Sequence, residues 1–246
     1  MPKIHLAPLL SLAAGTLGLV ALDRLSSLSA AGWTAGFLYL VVSDGLLARG
    51  LHRSGMSEIG WGNWATTLRS TLVALVTALV ATSFTAPVPV ALLTVLAAVS
   101  LALDAVDGWL ARRTHSVSDL GARFDMEVDA FLLLVLSAYL APELGWWVLL
   151  IGLLRYAFVV AGWLLPWMRA TLPPRYWRKV VTAVAGIALV AAASGILPPW
   201  ASAGAVLIAL ALLVESFGRD VLWLFARRHR STARPAAGQK TKGAVR

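Results

Sequence analysis

The sequence predicts an all-α protein that crosses a membrane several times, and three observations predict it. Hydrophobic residues make up 59% of the 246 positions and charged residues only 13%, roughly half the charged share of a soluble domain. Apolar stretches of about 20 residues, the length that spans bilayer hydrocarbon, recur along the chain. The basic residues, which set a net charge of +9, gather in short loops and at the C-terminus. That distribution orients helices in a membrane and argues against a nucleic-acid partner. There is no cysteine, which excludes disulfides and thiolate metal sites.

Backbone polar groups cannot stay unpaired in lipid, so each apolar stretch is expected as a helix. The first, 6–22, follows a single lysine and resembles a signal peptide, with small residues at "SLSAAG". Because further spans follow, it is read as an uncleaved first span. The second is 32–49. The third, 63–83, opens on "GNWATTLR", and the fourth is 88–112. The short loop "RTHSVSDLG" separates it from the fifth, 119–141, so these two form an antiparallel hairpin. The sixth, seventh and eighth are expected at 145–165, 178–196 and 199–226. Proline and glycine mark the breaks at "TAPVP", "APELG", "LPPRY" and "ILPPW".

Eight helices with both termini inside place Arg49, Arg53, Arg112, Arg113, Arg123, Arg169, Arg175, Arg178, Lys179, Arg227, Arg228 and Arg230 on the cytoplasmic side. The opposite loops hold Arg24 and almost no other basic residue. The eleven tryptophans lie mostly near helix ends, as an interfacial aromatic belt does. The tail "STARPAAGQKTKGAVR" is small, polar and basic, and is expected to be disordered. The Ala/Leu/Arg-rich, Lys-poor usage points to a GC-rich bacterial genome, hence to a bacterial cell membrane.

The chemistry concentrates in the fourth and fifth helices. Acidic residues are scarce, yet four aspartates fall between 104 and 129. Asp104 and Asp107 are three apart and share one helical face. Gly108 and Ala111 lie on or beside it, where small side chains let a large ligand approach the backbone. Asp125 and Asp129, four apart, share a face of the next helix. The hairpin lets both pairs face each other at the cytoplasmic boundary. Four facing carboxylates repel and are costly to desolvate, so a cation belongs between them. All-oxygen ligation suits Mg²⁺, Mn²⁺ or Ca²⁺. Divalent cations beside a basic mouth suggest phosphate chemistry.

The full string is Asp104-x2-Asp107-Gly108-x2-Ala111-Arg112-x8-Gly121-x3-Asp125-x3-Asp129. It resembles, without departure, the signature of the CDP-alcohol phosphatidyltransferases. A weaker likeness is "GNWATTLR", similar to the P-N-x-x-T-x-x-R that often opens the family's first core helix, with Gly62 in place of proline. The resemblance implies a six-helix catalytic core, preceded here by two extra N-terminal transmembrane helices, and a homodimer. The expected division is 1–58 for the extra helices, 59–228 for the catalytic domain and 229–246 for the tail. It implies two divalent metal ions, Mg²⁺ or Mn²⁺, held by Asp104, Asp107 and Asp125 with Asp129 close by, and Asp129 as the general base. Asn63, Thr66, Gly108, Ala111, Arg112 and Gly121 are then expected to contact CDP.

The implied reaction passes a phosphatidyl group from CDP-diacylglycerol to a polar alcohol, releasing CMP. For a phosphorylated acceptor the candidate binders are Arg123, Arg155, Arg178 and Lys179. Arg155 stands in an apolar helix, "GLLRYAFVV", where a charge faces a cavity or a partner. It is expected either to bind the acceptor phosphate or to pair with one of the aspartates. His115 reads as a solvated loop residue. Two other readings remain open at this point: transfer of a phospho-alcohol from a CDP-alcohol to diacylglycerol, and a metal-ion or substrate transporter.

The phrase D-G-x-L-A-R occurs twice, at Asp44–Arg49 and Asp107–Arg112. Aligned on the later copy, the earlier one has Val41, Glu58, Gly62 and Thr66 where the later has Asp104, Gly121, Asp125 and Asp129. It lacks the facing carboxylates and is read as an echo without metals.

Overall fold

The computed structural model describes residues 6–54, 61–114, 119–170, 172–173 and 175–232. Within them, the side chains of 6–8, 51–54, 61–66, 107–114, 119–123 and 229–232 lie outside the description. The elements are α1 (Leu6–Ser26), α2 (Ala30–Ser54), α3 (Trp61–Ser83), α4 (Val90–Thr114), α5 (Asp119–Leu144), α6 (Leu149–Leu164), α7 (Tyr176–Ala193) and α8 (Pro199–Thr232). No strand occurs among the described residues. Short 3-10 turns, Trp146–Val148 and Pro166–Arg169, flank α6. The first follows Gly145, whose φ of 105° is a left-handed conformation that suits glycine, so α6 begins at Leu149 rather than at 145. At the other end, α8 continues to Thr232. The first residues of the expected disordered tail are therefore helical, and 233–246 lie outside the described residues.

This is an all-α, multi-pass membrane protein. Among the described residues, five helices are long and apolar enough to cross a bilayer: α1, α2, α6 with its preceding turn, α7 and α8. The apolar stretches of α3 and α4 are shorter, Thr67–Ser83 and Val90–Val106. α5 carries Asp119, Asp125, Glu127 and Asp129 in its first half. The three helices that fall short as plain apolar spans are thus the ones that carry polar chemistry, each at one end. Short connections make the helices alternate in direction, which brings those three ends to the same side.

α3 is the central element and packs against α1, α2, α4 and α5. Its Val73, Ala74, Val76, Ala78, Leu79 and Val80 are buried, so this helix is apolar nearly all round, the pattern of a buried helix. The core continues through Leu93 of α4, Leu132 and Leu136 of α5, Leu189 of α7 and Val206 of α8. Leu17, Leu164, Ile187, Leu207 and Ile208 point outward, as lipid-facing side chains do. A Cβ at Gly152 of α6 would lie 2.3 Å from Leu134 Cα. Glycine there is what allows α6 to cross α5 so closely.

Candidate active site

Arg69 lies two turns into α3, fully buried, where α4 and α5 converge. Asp104 approaches from α4. Asp125 and Asp129, one turn apart, approach from α5. The Arg69 guanidinium donates from Nη1 to Asp125 Oδ1 and from Nη2 to Asp129 Oδ1, and Nη1 lies 3.0 Å from Asp104 Oδ1. A planar guanidinium serves several carboxylates at once because its donors form a fixed fork. The Asp129 side chain is 21% exposed and Asp104 38%, so the cluster opens to its surroundings on the α4 side and closes towards the core.

One carboxylate oxygen from each of Asp104, Asp125 and Asp129 lies within 4.8 Å of the other two. Three carboxylates face one guanidinium, so these four side chains carry a net negative charge. Converging oxygens in charge excess fit a hard divalent cation such as Mg²⁺ or Mn²⁺. The buried Arg69 Nε has no hydrogen-bond partner. Lys179, at the start of α7, is a further cation whose charge reaches Asp125.

Asp104, Asp125 and Asp129 meet as expected, but among the described residues α4 and α5 pack chiefly on α3 and α7 rather than on each other. The α4 helix runs unbroken through Asp107, Gly108, Ala111 and Arg112, and Gly121 and Arg123 lie in the opening turn of α5. Asn63 and Thr66 lie in the opening turns of α3. The side chains of all eight, and the whole of His115, lie outside the described residues. Arg155 pairs with Glu127 Oε1 at 2.6 Å. This is the expected kind of partnership, but with the glutamate between the two α5 aspartates in sequence rather than with an aspartate. Asp44 is buried on α2 at 6% exposure, beside Ser11 of α1, and has no place in the cluster.

A second polar centre lies at the same end of the bundle. Arg175, Trp177, Arg178, Ser216, Arg219 and Asp220 line a cleft of about 350 Å³ between α7 and α8. Asp220 is buried and holds Arg175 at 3.7 Å and Arg178 at 3.5 Å. Arg178 also donates to the Pro173 carbonyl. Arg219 pairs with Glu215, which accepts from Trp177 Nε1 at 3.0 Å.

Reading the sequence missed Arg69 as counter-ion of the aspartates, and it missed Arg175, Arg219 and Asp220. A signal existed for two of them. Arg69 closes the phrase "GNWATTLR", and Asp220 is an acid in a long apolar helix, where carboxylates are kept for a reason.

A model of the CDP-alcohol phosphatidyltransferases matches residues 61–217, from the first turn of α3 into α8 and well over half of the chain. The chain belongs to the CDP-alcohol phosphatidyltransferase family. Members transfer a phosphatidyl or phospho-alcohol group from a CDP-alcohol within a membrane and use divalent metals. The family resemblance of the motif at 104–129 is thereby established, and α1 and α2 lie outside the matched segment. No curated protein and no solved structure matches the chain.

Proposed function

We propose that this CDP-alcohol phosphatidyltransferase transfers the phosphatidyl group of CDP-diacylglycerol to a hydroxyl of a phosphorylated polyol and releases CMP. It does so at the cytoplasmic face of a bacterial cell membrane. The observation that carries this reading is the convergence of Asp104, Asp125 and Asp129 at the same end of the bundle as an arginine-lined cleft. Residues 59–228 form the catalytic domain in this reading, and the family resemblance adds a homodimer.

Asp104, Asp107, Asp125 and Asp129 would hold two divalent cations, Mg²⁺ or Mn²⁺. When bound, these cations neutralise the diphosphate and the charge that develops on the leaving group. Arg69 keeps the carboxylates converged. It engages Asp129 through Oδ1, and Oδ2 is the oxygen that takes the proton of the acceptor hydroxyl. The acceptor oxygen then forms a bond to the lipid-proximal phosphorus. The bond from that phosphorus to the CMP oxygen breaks, and CMP departs with the electron pair. Asn63, Thr66, Gly108, Ala111, Arg112 and Gly121 cradle the CDP moiety.

The acceptor's phosphate fits the cleft between α7 and α8. Asp220 holds Arg175 and Arg178 side by side and neutralises only one of their two charges, which leaves cationic donors for an anion. Lys179 extends the positive mouth towards the aspartates, and Arg123 is a further proposed binder of that phosphate. Arg155, engaged by Glu127, holds α6 against α5 in this reading.

The test supplies membranes containing the protein with labelled CDP-diacylglycerol, Mn²⁺ or Mg²⁺, and a panel of acceptors: glycerol phosphate, inositol phosphate, serine and free inositol. Metal-dependent CMP release with a phosphorylated acceptor is the expected outcome. Release only when a CDP-alcohol meets diacylglycerol would reverse the partners. No CMP from any combination, with metal uptake into vesicles, would overturn the enzyme reading in favour of a transporter.

A further inference from the structure

The α1–α2 hairpin precedes the family-matched segment, yet α2 is built into the helix that carries Arg69. Gly32 and Gly36 form a G-x-x-x-G pair. A Cβ at Gly32 would lie 2.7 Å from the Ala78 carbonyl and 2.1 Å from Thr82 Oγ1. A Cβ at Gly36 would lie 3.0 Å from Ala78 Cβ and 3.2 Å from the Ala74 carbonyl. The α2 backbone thus rests on the Ala74–Ala78–Thr82 face of α3, the close approach that small residues allow between membrane helices. Hydrogen bonds fix the register at the end remote from the aspartates: Ser29 N donates to Thr82 Oγ1 at 3.2 Å, and Ser29 Oγ donates to the same oxygen at 3.3 Å.

The same α3 face continues, one turn before Ala74, to Ser70, the neighbour of Arg69. Level with it on α2 is Tyr39. Its ring stacks on Phe131 of α5, with centroids 4.5 Å apart and planes at 23°, and Phe131 lies two residues beyond Asp129. Its hydroxyl lies close to Ser70, in the neighbourhood of Arg69 and Asp129, although Ser70 Oγ makes no hydrogen bond. One side chain of the appended hairpin therefore touches both helices that meet in the Arg69–Asp129 pair, on the closed side of the cluster.

We infer that the α1–α2 hairpin is part of the catalytic unit and that Tyr39 is a positioning residue. Its ring, stacked on Phe131 with the hydroxyl packed beside Ser70, holds α5 and α3 in the relation that lets Arg69 and the α5 aspartates converge. The inference rests on reading the aspartate cluster as the metal and reaction centre. Packing alone would give Tyr39 a share of stability spread over the whole molecule. A positioning role instead makes the loss specific to the centre, because outer groups that orient ligands change metal affinity and turnover by about 10- to 100-fold.

The experiment uses the full chain purified in detergent, as wild type, Tyr39→Phe, Tyr39→Leu and a lipid-facing control, Phe37→Leu. Mn²⁺ binding is titrated by electron paramagnetic resonance, CMP release is measured for kcat and KM, and thermal unfolding reports the fold. Tyr39→Leu is expected to weaken Mn²⁺ binding and kcat about tenfold or more while remaining folded. Tyr39→Phe, which keeps the ring, is expected to recover most of the Mn²⁺ affinity but only part of kcat, and Phe37→Leu to match wild type. The inference fails if a folded Tyr39→Leu matches wild type in both Mn²⁺ affinity and kcat. It fails equally if Tyr39→Leu does not fold and Tyr39→Phe matches wild type in both. A wild-type protein that neither binds Mn²⁺ nor releases CMP would instead remove the reading of the centre itself.

Discussion

Arg69 of α3 and Asp129 of α5, 60 residues apart in sequence, are joined by a hydrogen-bonded ion pair at the closed end of the aspartate cluster. The same guanidinium holds Asp125 and lies beside Asp104. One buried arginine thereby ties three helices together at the place where the family's motif puts its chemistry. The guanidinium offsets one of the three negative charges, and the remaining excess is what a divalent cation would neutralise.

Removing Arg69 should be felt most when divalent metal is absent. Breaking a buried ion pair by deleting one partner costs about 3–5 kcal/mol. Asp104 and Asp125 are a third or more exposed, so solvent screening puts the expected loss near the low end, about 3 kcal/mol. Chelator-treated Arg69→Ala should unfold at lower temperature or denaturant than wild type, and Mn²⁺ should narrow the gap. Arg69→Lys should rescue little, because an ammonium cannot fork to Asp125 and Asp129 as a guanidinium does.

In the proposed mechanism Asp129→Asn removes the proton acceptor but keeps the shape of the site. The expected result is a fall in kcat of about 10²- to 10⁴-fold with CDP-diacylglycerol binding retained, measured by equilibrium binding alongside CMP release. Loss of binding in that variant would make Asp129 chiefly a metal holder.

Arg178 of the cleft between α7 and α8 and Arg155 of α6 should separate in their kinetics. Arg178→Ala should raise the KM for a phosphorylated acceptor about tenfold or more, the value of a lost charge-assisted hydrogen bond, with kcat little changed. Arg155→Gln and Glu127→Gln should leave that KM unmoved, and the double variant should be no less stable than either single one, since both singles break the same pair. A raised acceptor KM in Arg155→Gln would return Arg155 to the phosphate site.

Asp44 is a buried carboxylate whose Oδ2 has no hydrogen-bond partner. An apolar side chain at such a position avoids the desolvation cost. Asp44→Leu should therefore be at least as stable as wild type in thermal unfolding and keep its transfer activity, whereas Asp107→Ala should lose it. A large loss of activity in Asp44→Leu would show that the first D-G-x-L-A-R phrase is more than an echo.

The sequence by itself determined the membrane class, the eight helices and the carboxylate motif. Each of these is written in local terms: an apolar run sized to a bilayer, or residues three and four apart on one helical face. Only the tertiary structure decided which charges meet. Arg69 reaches Asp129 across 60 residues, Arg155 selects Glu127 over two aspartates flanking it, and Asp220 gathers arginines from the start of α7. No periodicity encodes such pairings, because they depend on how helices rotate and approach when packed. That rotation is set by contacts such as Gly32 and Gly36 on Ala78 and Gly152 on Leu134. The same packing brings Tyr39, from a helix outside the family's shared segment, to the back of the centre.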